Sequence, residues 1–433
     1  MICIYTSEVS PRVSYTFRVF FEEILETDFV LTSNDNEYDE FLGPKFVYGL
    51  ANINDSIHFG ASGLLNENNI RDLAPEVVVY DGVNGLFSVN DGVLPFDPFS
   101  AAFYLLSRYE EYTYENLDVH GRFSAENSVA FKNDFLKKPV VNQYAELVKD
   151  IILEKYPDYL FKSKETVVVP TIDIDNAYAY SYKGLFFHLA SLTKKLIGLK
   201  FKRFLEHLVT ILNVKNDPYN SYQKQFDVHK SLGLKPVYFF LVGKKGKYDR
   251  NLSLKNEAFQ KLIQTVAARG EVGVHPSYGS LSGYEEVKFE KNSLEKVLGK
   301  EVTSSRQHYL KMSFPKTYLT LEKVGVKNDY SMGYASQIGF RAGICTPYTF
   351  YFLDEERESN IKVHPFCVMD ATIKYYLEID PDEILNQIRP VFKNIKKVKG
   401  EITLLFHNES IGEKNDWKSW QGLYERVLKE ALH

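Results

Sequence analysis

Short apolar runs alternate with helical patterns from Thr166 to the end of the chain. The runs are rich in β-branched and aromatic residues and are bounded by turn-forming residues, which is typical of buried strands. Between them lie amphipathic segments such as LKNEAFQKLIQTVAARG, which ends in a glycine stop signal at Gly270. About seven β–α units in succession predict parallel strands in a barrel or an open sheet. The predicted strands are Val167–Ile172, Pro236–Val242, Glu271–Val274, Val302–Ser305, the sequence KNDYS, Ile361–Val363 and Glu401–Phe406.

The first part of the chain has a different pattern, with fewer and less regular alternations. A helix is predicted over Asp97–Tyr112, because Asp97 is a helix-capping residue and a proline follows it in the first turn. A further helix ends near Tyr156, and the polar sequence FKSKE separates it from the first apolar run of the second part. We therefore predict a smaller α/β or α+β domain over residues 1–163 and a second domain over residues 164–433. Predicted strands of the first domain are ICIYT at the start, Lys45–Leu50, Ser56–Phe59 and Glu76–Tyr80, and a helix is predicted around Tyr15–Leu25.

Polar side chains follow several of the predicted strands. The sequence VVVPTIDIDNAYAY places Asp173 and Asp175 two residues apart at the end of the first strand of the second domain. Side chains two residues apart in an extended segment face the same way, so both carboxylates should point toward one place. Two like charges side by side are unfavourable unless a cation or hydrogen-bond donors meet them. The later strand ends carry His275, Arg306, His308, Tyr309, Asp329, His364, His407 and Asn408, and Arg341 follows Asp329 closely.

The carboxyl ends of parallel strands meet at one edge of a sheet or barrel, and this edge is where catalytic residues collect. Carboxylate together with imidazole is the ligand set that zinc and similar divalent ions prefer. A catalytic metal site of this kind keeps one coordination position open for water.

Composition and charge exclude several other classes of protein. A chain of 433 residues with 44% hydrophobic residues can bury a large core, and a net charge of −5 gives no signal for nucleic-acid binding. Three cysteines, Cys3, Cys345 and Cys367, do not suggest a disulfide framework and favour a reducing compartment. The start of the chain has no secretory signal pattern, and no apolar run reaches the length of a membrane span. We therefore expect a cytoplasmic protein.

The order of the polar motifs over residues 166–433 resembles that of the polysaccharide deacetylase family, also called carbohydrate esterase family four. The matching sequences, in chain order, are Thr171-Ile172-Asp173-Ile174-Asp175, His275-Pro276-Ser277-Tyr278-Gly279, Arg306-Gln307-His308-Tyr309, Asp329 and Leu405-Phe406-His407. The resemblance implies a distorted (β/α) barrel and metal-dependent removal of an N-acetyl group from an amino sugar in a polysaccharide or its precursor. The residues before Ser163 resemble the amino-terminal domain of bacterial proteins that carry such a deacetylase-like half, a domain of unknown role.

The resemblance also implies a role for individual residues. Asp173 is the implied catalytic base, His407 the general acid, and Asp175 and His275 are metal ligands. Arg306 orients the base, Asp329 tunes His407, and the backbone N–H of Tyr309 supports the oxyanion.

The sequence departs from the family pattern at the metal site. Ile174 separates the two aspartates, Gly279 stands where the family has a second metal-binding histidine, and His308 replaces a proline. A gained imidazole beside a lost one is what relocation of a ligand would produce. We therefore hypothesise that Asp175, His275 and His308 form the metal triad, with zinc as the expected ion. The alternative is that His308 only hydrogen-bonds substrate or Asp175.

Other interpretations stay open at this point. Asp-x-Asp after an apolar strand also occurs in metal-dependent glycosyltransferases, and loss of the second metal histidine would suit a non-catalytic carbohydrate-binding protein. Arg341 could grip an anionic group of a substrate or form a buried salt bridge, and His364 has no implied role.

A long insert, residues 183–216, follows the first aspartate motif. Leucines at helical spacing predict two helices, and lysines cluster at the turn between them. The insert is either a helical hairpin packed on the barrel or a lid that touches a membrane and meets a lipid-linked sugar.

Overall fold

The computed structural model of the chain describes residues 1–49, 56–212, 214–280, 283–412 and 414–433. Both parts of the described chain combine helices with mainly parallel strands, so the predicted α/β class is confirmed.

The first part contains a parallel sheet, a separate two-stranded hairpin and six helices among its described residues. The strands are β1 (Ile2–Thr6), β2 (Phe29–Thr32), β3 (Lys45–Tyr48), β4 (Ile57–Phe59), β5 (Val77–Tyr80) and β6 (Val83–Leu86). The helices are α1 (Pro11–Arg18), α2 (Asp35–Glu40), α3 (Pro98–Leu106), α4 (Tyr109–Tyr112), α5 (Val129–Lys132) and α6 (Val140–Lys155). The sheet has the order β2-β1-β3-β4, and β5 pairs with β6 in antiparallel fashion.

The second part contains a larger sheet with helices between successive strands. Its strands are β7 (Val167–Ile174), β8 (Val237–Phe240), β9 (Glu271–Val274), β10 (Ser304–Ser305), β11 (Asn328–Asp329), β12 (Tyr348–Phe352), β13 (Arg357–Val363), β14 (Val368–Met369) and β15 (Glu401–His407). Its helices are α7 (Leu185–Ile197), α8 (Phe201–Ile211), α9 (Tyr222–Leu232), α10 (Glu257–Ala267), α11 (Tyr284–Leu298), α12 (Lys316–Lys323), α13 (Ile384–Lys397), α14 (Asn408–Ile411) and α15 (Leu423–Leu432). Short 3-10 helices occupy Leu64–Asn66, Ala125–Asn127, Tyr278–Ser280, His308–Leu310 and Asn415–Trp420, and π-helical turns occupy Val19–Ile24 and Thr372–Tyr376.

The larger sheet places β7 near its centre. The strand order is β12-β13-β11-β10-β9-β8-β7-β15-β14, and all neighbours are parallel except β12 and β13. Strand β7 pairs with β15 on one side and with β8 on the other. Among the described residues, β12 and β14 are the two edge strands of this sheet and do not pair with each other. Closure into the expected barrel therefore stays a prediction.

Most predicted strands of the second part lie where the sequence pattern placed them. Strand β9 has the predicted bounds, whereas β10 and β11 are only two residues long. The pattern missed β12, which runs antiparallel at the edge of the sheet. It also missed β14, because two residues are too few to show a period. The helix predicted over Asp97–Tyr112 is interrupted at Arg108, whose φ of 56° is left-handed and divides α3 from α4.

One hydrophobic core joins the first part of the chain to the far edge of the larger sheet. The ring of Tyr15 lies 4.8 Å from that of Tyr351, and the ring of Phe103 lies 5.2 Å from it. The buried cluster that contains these rings extends to Ile361 and Val363 on β13. The predicted boundary near residue 163 therefore separates two sequence patterns that share a core, and the boundary itself stays a prediction.

A buried ionic network crosses the same contact. The Glu111 carboxylate accepts hydrogen bonds from Arg108 Nε at 2.8 Å and from Arg341 Nη2 at 2.5 Å. Burial raises the pKa of Glu111, but the two guanidinium groups outweigh burial and lower it below its usual range. Of the two interpretations for Arg341, the buried salt bridge is therefore the one observed.

This network should contribute strongly to stability. Glu111→Gln removes the charge that two buried guanidinium groups share, and breaking a buried pair in this way costs about 3–5 kcal/mol. Denaturant unfolding at neutral pH measures the loss. The control is Glu430→Gln, whose partner Arg389 is exposed and whose loss should leave the unfolding midpoint unchanged. Equal midpoints for the two variants would contradict the prediction.

Candidate active site

The carboxyl ends of the central strands of the larger sheet line one cavity. In the register of the sheet, Asp173 on β7 lies opposite His407 on β15. The cavity has a volume of about 300 Å³, and its lining includes Asp173, Asp175, His275, His308 and His407. Strand ends that are far apart in sequence therefore meet at one place, as the parallel topology predicts.

Three of these residues are arranged as a metal site would be. Ligand atoms of Asp175, His275 and His308 all lie within 4.8 Å of one another. His275 Nε2 is 3.1 Å from Asp175 Oδ1, and His308 Nε2 is 3.4 Å from Asp175 Oδ2. Asp175 Oδ1 is buried, and the described residues give it no hydrogen bond of acceptable geometry. A buried carboxylate oxygen without a donor is suited to a cation.

The Nδ1 atoms of His275 and His308 already make hydrogen bonds within the protein. His275 Nδ1 donates to the carbonyl oxygen of Arg306 at 2.6 Å, and His308 Nδ1 donates to Asp249 Oδ1 at 2.8 Å. These bonds fix each ring and leave its Nε2 free to bind a metal, as supporting hydrogen bonds do in known metal sites. One carboxylate and two imidazoles fit a divalent ion such as zinc and leave a position for water.

The charges around Asp175 favour a positive centre. Burial raises the pKa of Asp175, but the nearby His308, His275 and His407 outweigh burial and lower it well below its usual range. Burial lowers the pKa of His308, but Asp175 and Asp249 outweigh burial and raise it to about 9. The same carboxylates that stabilise an imidazolium would stabilise a bound cation.

Asp249 connects His308 to the loop that follows β9. Its carboxylate accepts hydrogen bonds from the backbone N–H groups of Tyr278 at 2.8 Å and Gly279 at 3.2 Å. The backbone N–H of Gly279 thus helps to hold the carboxylate that orients His308. Sequence reasoning missed Asp249, because it lies in the loop after β8, well beyond the end of that strand.

Asp173 is held by a buried arginine. Arg306 Nη1 donates to Asp173 Oδ1 at 2.9 Å, and Arg306 Nε donates to the Tyr330 carbonyl at 2.9 Å. Asp173 Oδ2 lies 3.7 Å from His275 Nε2, next to the candidate metal triad. The structure thus brings together the implied base and the arginine that would orient it.

His407 is held by Asp370, which the sequence analysis did not single out. The Asp370 carboxylate accepts from His407 Nδ1 and from the His407 backbone N–H, each at 2.7 Å. Burial lowers the pKa of His407, but Asp370 outweighs burial and raises it well above its usual range. Asp370 directly follows β14, so the strand-end rule would have found it if so short a strand could be seen in the sequence.

Asp329 makes its hydrogen bonds away from His407, and its implied role in tuning His407 stays a prediction. Its buried carboxylate accepts from Tyr318 Oη at 3.0 Å, from Ser305 Oγ at 2.7 Å and from Ser331 Oγ at 2.9 Å, and not from His407. Asp329 therefore braces the ends of β10 and β11. His364 likewise lies outside the cavity lining, where its ring stacks on Tyr330 with centroids 4.3 Å apart.

Tyr309 lines the cavity on a loop of unusual backbone geometry. Tyr309 and Leu310 have φ values of 62° and 51°, which residues other than glycine adopt rarely and often near functional sites. The Tyr309 carbonyl accepts a hydrogen bond from Arg122 Nη1 at 2.8 Å. The implied role of the Tyr309 N–H at an oxyanion stays a prediction.

Arg122 brings the first part of the chain into the cavity. It lines the cavity, its Nε donates to Asp118 Oδ2 at 2.8 Å, and its Nη2 donates to Tyr376 Oη at 3.3 Å. The neighbouring His120 contacts the ring of Tyr309 at 5.1 Å. No sequence pattern indicated this contribution, because Arg122 lies far from the polar motifs along the chain.

Comparison with family models identifies one match. Residues 2–157 match a family of unknown function (DUF7033). The match covers most of the first part of the chain and leaves the strands that build the cavity outside it. No curated protein matches the sequence.

Comparison with solved structures finds similar chains of low identity. A Mycobacterium smegmatis protein, provisionally assigned as a polysaccharide deacetylase, has 14% identity and a TM-score of 0.39, over 61% of this chain and 85% of that chain. A polysaccharide deacetylase from Bacillus cereus has 16% identity and a TM-score of 0.27, over 61% and 89%. A pseudoenzyme of the CE4 family from Bacillus anthracis has 11% identity and a TM-score of 0.29, over 60% and 62%. These similarities are too low to carry an argument about activity.

The candidate metal site can be tested by zinc binding. His275→Ala and His308→Ala should abolish stoichiometric zinc binding, because each removes a ligand, and Asp249→Asn should weaken it by about 10–100-fold. Calorimetric titration and elemental analysis of the purified variants measure the effect. A structure determined with zinc should place His308 Nε2 about 2.0–2.1 Å from the ion.

His364→Gln is the matched control for zinc binding, because this histidine lies outside the cavity and should leave zinc affinity unchanged. Zinc bound by His308→Ala as tightly as by the wild-type protein would exclude His308 as a ligand.

Proposed function

We propose that the cavity is the active site of a metal-dependent hydrolase that removes an N-acetyl group from an amino sugar of a polysaccharide or its precursor. One observation carries the proposal. A single cavity combines a candidate cation site with a carboxylate held by an arginine, Asp173, and an imidazole held by a carboxylate, His407.

This combination suits amide hydrolysis. An amide carbonyl is a poor electrophile and water is a poor nucleophile, so both must be activated for the reaction to proceed. A divalent cation held by Asp175, His275 and His308 would polarise the carbonyl and lower the pKa of bound water toward about 7. Zinc is the proposed ion, because the donor set is one carboxylate and two imidazoles.

Asp173 is suited to accept a proton. Arg306 fixes one of its oxygens, and the second oxygen lies beside the candidate cation site. A carboxylate in this position can take the proton of an attacking water molecule as general base. Its burial and the hydrogen bond from Arg306 Nη1 hold the carboxylate in place.

His407 is suited to give a proton. Because Asp370 raises its pKa, the imidazole carries a proton over a wider pH range than an ordinary histidine does. His407 Nε2 lies 3.9 Å from Asp175 Oδ2 and is therefore on the cavity side of the ring. An imidazolium there can protonate the nitrogen of the departing amine, which would otherwise be a poor leaving group.

The broader setting of the enzyme is part of the same proposal. We take the scaffold as a distorted barrel and the location as the cytoplasm. The free thiols of Cys3, Cys345 and Cys367 support a reducing compartment.

The acid–base pair can be tested by substitution. Asp173→Asn and His407→Ala should each lower turnover by about 10²–10⁴-fold, the usual contribution of such groups. The assay is acetate release from N-acetylglucosamine oligomers by zinc-loaded protein. Asp173→Asn should keep its zinc, which separates loss of the base from loss of the metal, and His364→Gln should keep the wild-type rate.

The same assay decides among the functions that the sequence left open. Acetate release at wild-type rates by both variants would refute the assigned roles. Zinc binding without acetate release, together with metal-dependent binding of a nucleotide sugar, would favour a glycosyltransferase. Carbohydrate binding by a protein that binds no zinc and releases no acetate would favour a non-catalytic binding protein.

Arg122 should affect catalysis without affecting the metal. Arg122→Gln removes the hydrogen bond that holds the Tyr309 carbonyl and should lower kcat/KM by about 10²-fold, the size expected when a reacting group is misplaced by about 1 Å. Zinc affinity should stay at the wild-type value, because Arg122 is not in the triad. Arg389→Gln, at an exposed arginine on α13, is the control. Unchanged kcat/KM in Arg122→Gln would mean that the first part of the chain plays no role in the reaction.

A further inference from the structure

The insert after β7 exposes an unusual amount of apolar surface. It forms the helical hairpin α7–α8, and α7 buries none of its side chains. Phe186 is 89% exposed, Ile197 78% and Leu199 74%. A large exposed apolar surface on a folded protein is typical of a site that binds another molecule or a membrane. The large exposed apolar side chains of the hairpin are Leu185, Phe186, Phe187, Leu189, Leu196, Ile197, Leu199, Phe201, Leu205, Leu208, Leu212 and Val214.

The hairpin is nevertheless anchored to the rest of the protein. His207 on α8 is buried, its ring stacks on Tyr180 with centroids 4.2 Å apart, and it hydrogen-bonds to His188 at 2.9 Å. Lys195 Nζ lies 2.8 Å from the other ring nitrogen of His207. His188 and Lys195 both lie on α7, so their contacts with His207 hold the two helices of the hairpin together. The stacking on Tyr180 and the ion pair between Arg203 and Asp416 join the hairpin to the body.

Positive charge accompanies the apolar surface. Lys194, Lys200 and Lys202 are exposed at the turn between α7 and α8. Within the described part of the hairpin, Glu206 is the single acidic residue. Apolar side chains beside lysines are the combination that binds an anionic membrane surface, where the rings and aliphatic groups insert and the cations meet lipid phosphates. No helix among the described residues is long and apolar enough to cross a bilayer, so contact would be at the surface.

A second cavity lies at the base of the hairpin. It has a volume of about 460 Å³, and its lining includes Lys183, Lys245 and Arg250. Among the described residues, these three cations form no ion pair with a carboxylate. Burial lowers the pKa of Lys183 to about 8, and Lys245 and Arg250 add to the effect of burial.

The start of α7 adds to the positive potential of this cavity. Gly184, its N-cap, lines the cavity, and the first turn has neither a side-chain cap nor an acidic residue. The free N–H groups at a helix start bind anions, phosphate in particular. Asp249 is the carboxylate in the lining, and its oxygens already accept from His308 and from backbone N–H groups.

This basic cavity adjoins the candidate active site. Asn176, which lines it, directly follows Asp175 in the sequence, and Asp249 connects it to His308. A phosphate in the basic cavity would therefore lie next to a sugar in the active site.

We propose that the hairpin rests on an anionic membrane surface and that the basic cavity takes the phosphate or diphosphate of a lipid-linked amino sugar. The assignment of the sugar to the active site rests on the proposed deacetylase function. The lipid chain lies along the apolar face of the hairpin, the phosphate meets Lys183, Lys245 and Arg250, and the N-acetylated sugar reaches Asp173 and His407. The substrate class is then a membrane-bound precursor and not a finished polymer.

Membrane contact is tested by co-sedimentation of the full chain with vesicles at low salt. Wild-type protein should sediment with phosphatidylcholine vesicles that contain phosphatidylglycerol or phosphatidic acid, and not with phosphatidylcholine alone. A variant with Phe186→Ser, Ile197→Ser and Leu199→Ser should lose at least tenfold in vesicle affinity. The control carries Leu42→Ser, Val119→Ser and Leu160→Ser, three exposed apolar residues outside the hairpin, and should bind as the wild type does.

The basic cavity is tested by a second set of variants. Lys183→Gln, Lys245→Gln and Arg250→Gln together should lower affinity for phosphatidic acid vesicles and abolish binding of inorganic diphosphate, measured by calorimetry. The charge-matched control has Lys230→Gln, Lys300→Gln and Lys393→Gln, three exposed lysines elsewhere on the surface. Equal losses of affinity in the two variants would mean that binding depends on the overall positive charge and not on this cavity, which would overturn its assignment as a phosphate site.

Other outcomes overturn the proposal in distinct ways. Diphosphate binding without vesicle binding would mean that the cavity serves a soluble phosphate. A wild-type dimer that becomes monomeric in the Ser variant of the hairpin, with no vesicle binding, would mean that a second copy covers the apolar face. These assays measure binding and not catalysis. Wild-type protein that binds vesicles and diphosphate but releases no acetate would therefore refute the proposed function and leave membrane binding intact.

Discussion

The arrangement of the second part of the chain depends on two carboxylates at the end of one central strand. Asp173 lies on β7 and Asp175 directly follows its last residue, and both carboxylates line the same cavity. Their mutual repulsion requires positive charge or hydrogen-bond donors nearby. Neighbouring strands supply them, since Arg306 meets Asp173 while His275 and His308 meet Asp175. Tyr309, which directly follows His308, has a left-handed backbone.

This constraint explains which parts of the site were predictable. Asp173, Asp175, His275, His308 and His407 could be found because each follows a strand that the apolar pattern reveals, and parallel strands bring their ends together. The sequence could not show which carboxylate would meet His407. Motif order suggested Asp329, but tertiary packing places Asp370 there, after a strand too short to be recognised. Asp249 and Arg122 were missed for a similar reason, because loops bring them to the site and no periodic pattern marks a loop residue.

The same reasoning applies to the division of the chain. A change of sequence pattern near residue 163 suggested two domains, and the structure does have a separate sheet on each side of it. The pattern could not show that Tyr15 and Phe103 pack against Tyr351, or that Glu111 is shared between Arg108 and Arg341. The aromatic contacts join the first part to the outer strand β12, and the hydrogen bonds of Arg122 to the Tyr309 carbonyl and to Tyr376 hold its loop against the cavity. The first part is therefore a wall of the candidate site as well as a neighbouring unit.

The clearest departure from the family pattern is the glycine at position 279 together with the histidine at position 308. The backbone conformation at residue 279 does not require a glycine. Gly279 has no left-handed φ, and a Cβ at this position would approach nothing closer than Asp249 Oδ2, at 3.8 Å. A side chain could therefore begin at residue 279 without a clash, so the glycine is not there for conformational freedom. What residue 279 does supply is a backbone N–H to Asp249, and Asp249 in turn orients His308. A histidine at 279 together with one at 308 would place two imidazoles near the same carboxylate. The chain instead has a single histidine of the two, His308, which follows the next strand, and Asp175 therefore faces two imidazoles, those of His275 and His308.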